Sequence, residues 1–132
     1  MRDIQQVLER WGAWASDVQS GVDYSHIAAG FKGVLPYQSS SRISCCDDDG
    51  MIIDATIARL QQLRREEELN ALILHYIYQC SKRSIARRWK VSESRVRQII
   101  QIAEGFVEGG LAMLDSGLVM DHEVACNKKQ VK

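Results

Sequence analysis

The chain has 132 residues, of which 45% are apolar and 26% charged, a length and balance that suit one domain with a real hydrophobic core. Its 17 basic and 17 acidic residues give a formal net charge of zero, which argues against a protein that coats nucleic acid all over. No apolar run reaches the roughly 18 residues of a membrane span, and the opening "MRDIQQVLERW" lacks the apolar stretch of a signal peptide, so a cytosolic protein without membrane contact is expected.

In chain order, Ile4, Val7, Leu8, Trp11, Ala15 and Val18 recur at helical spacing and predict an amphipathic helix. Asp3 can cap its start, and Gly21 lies where the chain should leave it. Trp11 and Trp14 are expected in the core rather than as a ligand-stacking pair. "DYSHIAAGF" suits a short helix capped by Asp23, with His26 lacking any catalytic partner. "KGVLPYQSSSRISCCDDDG" holds the only proline and a run of serines and reads as a loop. A loop of that length binds something or moves, and the long loop is placed at residues 32–46.

Asp47, Asp48 and Asp49 lack the alternation and distal Glu of an EF-hand loop, so they are expected to meet the positive end of the next helix. That helix should run from about residue 50 to 64 on Ile53, Ile57 and Leu60. After the break at "RREEE", Glu66, Glu67 and Glu68 suit a first turn. Leu69, Leu72, Ile73, Tyr76, Ile77 and Cys80 then form an apolar stripe from which His75 is excluded. No strand alternation or internal repeat appears. The reading is an all-α fold: one compact helical domain over residues 1–120 and a frayed polar tail over 121–132.

The four cysteines, Cys45, Cys46, Cys80 and Cys126, form no C-x-x-C pair. Adjacent Cys45 and Cys46 would strain a mutual disulfide, and a zinc site drawn from Cys45, Cys46, Cys80 and His75 lacks the usual ligand spacing. Free, partly buried thiols are expected, with no metal and no cofactor.

Charge is unevenly placed. Lys82, Arg83, Arg87, Arg88, Lys90, Arg95 and Arg97 share the stretch 82–97 with one acid, Glu93, giving it +6 and leaving −6 on the remainder. This asymmetry points to one localised anionic partner. The stretch also has an order. Ser81 or Ser84 can cap a short helix through Trp89, "KVS" makes a turn, and Ser92 caps a further helix. This is the helix-turn-helix plan, placed within residues 66–114. Ile85, Ala86 and Trp89 share one face, Val91 should plug the turn, and Val96, Ile99 and Ile100 should face inward. Ser94, Gln98 and Gln101 then face outward between Arg95 and Arg97, as base-edge and phosphate contacts require. The expected DNA-binding residues are Lys82, Arg83, Arg87, Arg88, Lys90, Ser94, Arg95, Arg97, Gln98 and Gln101. Lys90 stands where many such motifs have glycine, and a left-handed backbone there would cost roughly 1 kcal/mol more than with glycine.

"VSESRVRQI" resembles the DNA-reading helix-turn-helix of primary sigma factors, over about residues 66–101. A longer resemblance runs through "RDIQQVLERWGAWA", "YSHIAAGFKGVLP", "SCCDDDGMIIDA" and "AEGFVEGGLAML". These resemble the phage late-gene antitermination protein Q family, of the lambdoid-phage type without a zinc motif. The resemblance implies duplex DNA at a phage late promoter as partner, beside host RNA polymerase and its sigma factor in the bacterial cytoplasm. It implies loading onto the polymerase, read-through of pauses and terminators, and an altered RNA exit channel close to nascent RNA. The 32–46 loop is a candidate for insertion there, and two copies on a repeated half-site would suit the motif.

Two other readings compete. One is a sigma-like promoter-binding regulator or repressor. The other, of a different class, is a protein-interaction module that binds RNA polymerase without DNA, using a basic helix pair that is otherwise a solvated face. An enzyme is not expected: no phosphate-cradling glycine loop appears, and the histidines at 26, 75 and 122 form no nucleophile–base pair.

Overall fold

The computed structural model describes residues 2–31, 42–114 and 117–124. Helix α1, Ile4–Ser16, starts where Asp3 Oδ1 accepts the backbone N–H groups of Gln5 and Gln6. It buries Val7, Leu8, Trp11, Trp14 and Ala15. Val18 does not continue that stripe. The backbone turns extended at Asp17, whose carboxylate caps a separate 3₁₀ turn, Val18–Ser20, and Val18 is left 92% exposed. Gly21 ends this turn at φ 84°, in the left-handed region that glycine enters without penalty. The short α2, Ser25–Ala28, begins after Asp23 accepts the Ser25 N–H, and Phe31 beyond it is buried.

Of the expected 32–46 loop, residues 32–41 lie outside the described residues. Helix α3, Asp47–Gln62, begins three residues earlier than its apolar pattern suggested. The acidic run therefore lies inside its first turn, where the helix dipole favours negative charge. Its side chains do not cap the helix: the N-cap is Cys46, without a side-chain bond. Two of the three carboxylates bind neighbouring elements. Asp47 accepts the Trp14 indole N–H at 2.9 Å. Asp49, only 2% exposed, accepts the backbone N–H groups of Val119 and Met120 at 2.8 and 3.0 Å. Further along α3, Asp54 accepts the Trp11 indole and the Tyr24 hydroxyl. Burial, reinforced by Asp54, raises the Tyr24 pKa.

Helix α4, Glu66–Leu72, widens into a π-helical turn, Ile73–Ile77, that carries on the same axis. Arg42 serves the carbonyls at its end, donating to Tyr76 O at 2.5 Å and Ile77 O at 3.2 Å. The Tyr76 hydroxyl donates to the buried Glu104 at 2.5 Å. Helices α5, Lys82–Trp89, and α6, Glu93–Ala112, complete the bundle.

Three successive helix ends reverse in the same way. Arg64, Gln79 and Lys90 each take a left-handed backbone at φ near 60°. The N–H after each returns to a carbonyl in the preceding helical turn: Arg65 to Leu60, Cys80 to Leu74, Val91 to Ala86. None of the three is glycine, so glycine-based punctuation does not reveal them.

The side chains segregate into two cores. The first joins α1, α3, the α4–π segment and the second half of α6 through Leu8, Trp11, Ile53, Ile57, Leu72 and Val107. The second gathers Phe31, Leu74, Ile85, Val96, Ile99 and Ile100, where α4 and α5 pack on the first half of α6. Helix α6 runs through both, at a length of roughly 30 Å for its 20 residues.

The segment 121–132, expected to fray, opens with a packed piece. Val119–His122 forms a 3₁₀ turn, Met120 and Val124 are buried, Arg2 pairs with Asp121, and Arg10 pairs with Glu123. Asp3 donates its N–H to the Val124 carbonyl, and residues 125–132 lie outside the described residues. The regular elements among the described residues are helical, as the all-α reading expected, and none is long and apolar enough to cross a membrane.

A candidate nucleic-acid interface

The basic stretch folds into two helices around a short turn. Ser81, one of two candidate caps, starts α5 by accepting the Ser84 N–H at 3.0 Å. Ile85 and Ala86 are buried and Trp89 is half-buried, as the apolar face of α5 required. Lys90 adopts φ 60° and ψ 44°, the left-handed geometry that glycine would take more cheaply. The expectation that Val91 plugs the turn is not met, since the residue is 39% exposed. Its backbone does that work instead, the Val91 N–H closing on Ala86 O at 3.0 Å.

Ser92 then accepts the Arg95 N–H at 3.0 Å and begins α6. Val96, Ile99 and Ile100 are at most 1% exposed, while Ser94, Arg95, Arg97, Gln98 and Gln101 are all exposed. The helical period alone predicted this division. A turn of about 100° per residue stacks Ser94, Gln98 and Gln101 into one outward row. A hydroxyl and two amides can each donate and accept, as the edges of base pairs demand.

Arginines and lysines surround that row. Arg83, Arg87, Arg88 and Lys90 are exposed and Lys82 is half-buried. Arg88 lies over the Phe31 ring at 6.0 Å, which ties the segment after α2 to this face. Three of the arginines meet carboxylates. Arg97 pairs with Glu93 at 2.5 Å, Arg83 approaches Glu93 at 4.0 Å, and Arg95 pairs with Glu67 of α4 at 3.2 Å. Sequence reasoning missed Glu67 as a member of this surface, because it enters from outside the basic stretch. Lys82, Arg87 and Lys90 have no carboxylate partner among the described residues.

Of the four cysteines, Cys126 lies outside the described residues. Among the described residues no group of three or more Cys, His, Asp or Glu side chains is placed to hold a metal. His75 Nδ1 lies 2.9 Å from the Cys80 carbonyl. Burial, followed by Asp49, pushes the Cys45 thiol up to about 12, and burial also raises Cys80. His26 and His122 are exposed.

The fold and this surface define a small all-helical protein with one cationic, amide-bearing helix face, an arrangement suited to a regulator that works on nucleic acid. Residues 1–119 match the family of phage antitermination protein Q, and the chain belongs to that family. It is 55% identical over 123 residues to the probable antitermination protein Q of Acyrthosiphon pisum secondary endosymbiont phage 1, covering 93% of this chain and 83% of that one. It is 45% identical over 124 residues to antitermination protein Q of Escherichia phage 933W, covering 94% of this chain and 85% of that one. A solved structure of transcription antitermination factor Q21 superposes with a TM-score of 0.58 over 83% of this chain and 87% of that chain. At 21% identity that likeness is one of fold. Membership of the Q family, expected from the sequence, is thereby borne out. It makes the chain a phage transcription-antitermination protein, within a family of transcription regulators rather than enzymes.

Proposed function

We propose that this protein is a DNA-binding antiterminator. It binds duplex DNA at a phage late promoter, loads onto host RNA polymerase beside its sigma factor, and lets the enzyme pass pauses and terminators by altering the RNA exit channel. The α5–α6 unit acts as a sigma-like helix-turn-helix. The observation that carries the DNA-binding step is the outward row of Ser94, Gln98 and Gln101, exposed on a helix whose opposite face is fully buried and framed by basic side chains.

In this reading the roles divide by chemistry. Ser94, Gln98 and Gln101 read base edges in the major groove. Lys82, Arg83, Arg87, Arg88, Lys90, Arg95 and Arg97 hold phosphates and set the register without carrying sequence information. The acidic remainder of the molecule stays off the DNA and is available to polymerase and sigma.

Two measurements test the proposal. With purified polymerase and a late-promoter template, the protein should raise read-through of a downstream terminator, whereas a repressor would lower initiation and leave read-through unchanged. In titrations of labelled duplex DNA, Gln98→Ala should lose about 1–3 kcal/mol on the specific site and little on random sequence. Arg87→Ala should weaken both alike. Equal loss on both duplexes for Gln98→Ala would refute the assignment of the base-reading row.

A further inference from the structure

Resting on the DNA-binding reading above, we propose that Glu67 and Glu93 are internal competitors for DNA phosphate. They hold Arg95, Arg97 and Arg83 in ion pairs that the DNA backbone must displace, which keeps affinity for non-specific DNA low. The base-reading row itself is left untouched.

The geometry is specific. Glu67 lies on α4, 28 residues from Arg95, yet its carboxylate reaches the Arg95 guanidinium at 3.2 Å. This approach does not depend on either flexible side chain alone. Helix α4 is seated against the first half of α6 by the second core, with Ala71 and Leu74 in the same cluster as Val96, Ile99 and Ile100. Glu93 receives Arg97 from one turn further along α6 and Arg83 from α5, so one carboxylate faces arginines of both helices. The three arginines flank the outward row of α6, where a phosphate backbone would run if that row entered the groove.

None of the three pairs is sealed from water. Arg95 and Glu67 are about half exposed, as is Arg97. Exposed pairs of this kind contribute little to stability and exchange readily with other anions. Their consequence is therefore for binding: each phosphate must displace a carboxylate, and the net number of counterions released falls. Lys82, Arg87 and Lys90, without such partners among the described residues, make the initial contacts.

The test replaces Glu67 by Gln and uses Glu66→Gln as a control. Glu66 is exposed one residue away and has no arginine partner among the described residues, so its loss changes net charge equally without releasing Arg95. Labelled random duplex is titrated with parent and variants across a range of salt concentrations. Glu67→Gln should tighten binding about fivefold near 0.1 M salt and steepen the log–log salt slope by about 0.9, the signature of one more phosphate contact. Glu66→Gln should leave the slope unchanged, and Glu67→Gln should lose its effect in an Arg95→Gln background. An unchanged slope for Glu67→Gln, or an equal gain from Glu66→Gln, overturns the competition. A parent protein that shows no binding to duplex DNA even at low salt would instead refute the DNA-binding reading, and this inference with it.

Discussion

Two runs of three acids open two successive helices, Asp47–Asp49 in α3 and Glu66–Glu68 in α4, and the molecule uses them differently. Two of the aspartates bind neutral donors of neighbouring elements. Asp47 holds the Trp14 indole, and Asp49 holds two backbone N–H groups of the C-terminal 3₁₀ turn in a buried corner. Two of the glutamates face cations. Glu67 meets Arg95 and Glu68 meets Arg65 at 3.6 Å. Both runs sit in a first turn and gain from the same helix dipole, so local structure does not separate them. Side-chain reach and surroundings do: the short aspartate fits a tight corner between backbones, while the longer glutamate spans the gap to a guanidinium on α6.

The contrast can be broken by substitution, and Asp49 should give the largest effect. Asp49→Ala removes a 2%-exposed acceptor of two backbone donors. It should cost about 3 kcal/mol, read as a lowered urea midpoint, because the orphaned N–H groups must bear their desolvation. A loss below about 0.5 kcal/mol would show that the C-terminal turn is held elsewhere, by its ion pairs to Arg2 and Arg10.

An intermediate effect is expected one residue further on. A Cβ placed on Gly50 would lie 2.3 Å from the Trp14 ring, a separation that real side chains do not tolerate. The ring cannot simply withdraw, since its indole N–H is engaged with Asp47. Gly50→Ala should therefore destabilise by about 2 kcal/mol through overpacking and alter the near-ultraviolet tryptophan circular dichroism. An unchanged spectrum and midpoint would show that α1 and α3 can part without loss.

The smallest effect belongs to the second run. Glu67→Gln should shift stability by less than about 0.5 kcal/mol, because an exposed ion pair exchanges one hydrated state for another. A large loss in urea denaturation would make Glu67 a structural residue like Asp49, and the difference between the two runs would disappear.

Much of the candidate interface was legible in sequence. The inward set Val96, Ile99 and Ile100 and the outward Gln98 follow from helical period, and Ser92 announces its helix by capping chemistry. Val18 misled because a stripe continues on paper after the backbone has left the helix at Asp17. Val91 misled because its place in the turn is set by a backbone hydrogen bond, which any residue but proline can make. The π-helical turn at Ile73–Ile77 carries no residue signature, and it meets Arg42 of a distant segment only in the folded state.

By itself the sequence determined the helices, their apolar faces and the +6 concentration of charge between residues 82 and 97, because period, capping and charge are local properties of the chain. Tertiary structure decided the rest. It brought Glu67 to Arg95 across 28 residues, set Asp49 beneath the C-terminal turn across 70, and let Arg64, Gln79 and Lys90 take the left-handed backbone that glycine would accept more easily. The physical reason is common to all three. A carboxylate's partner depends on which helix packs beside it, and a strained helix end persists when the packing of the helices it joins outweighs a cost of about 1 kcal/mol.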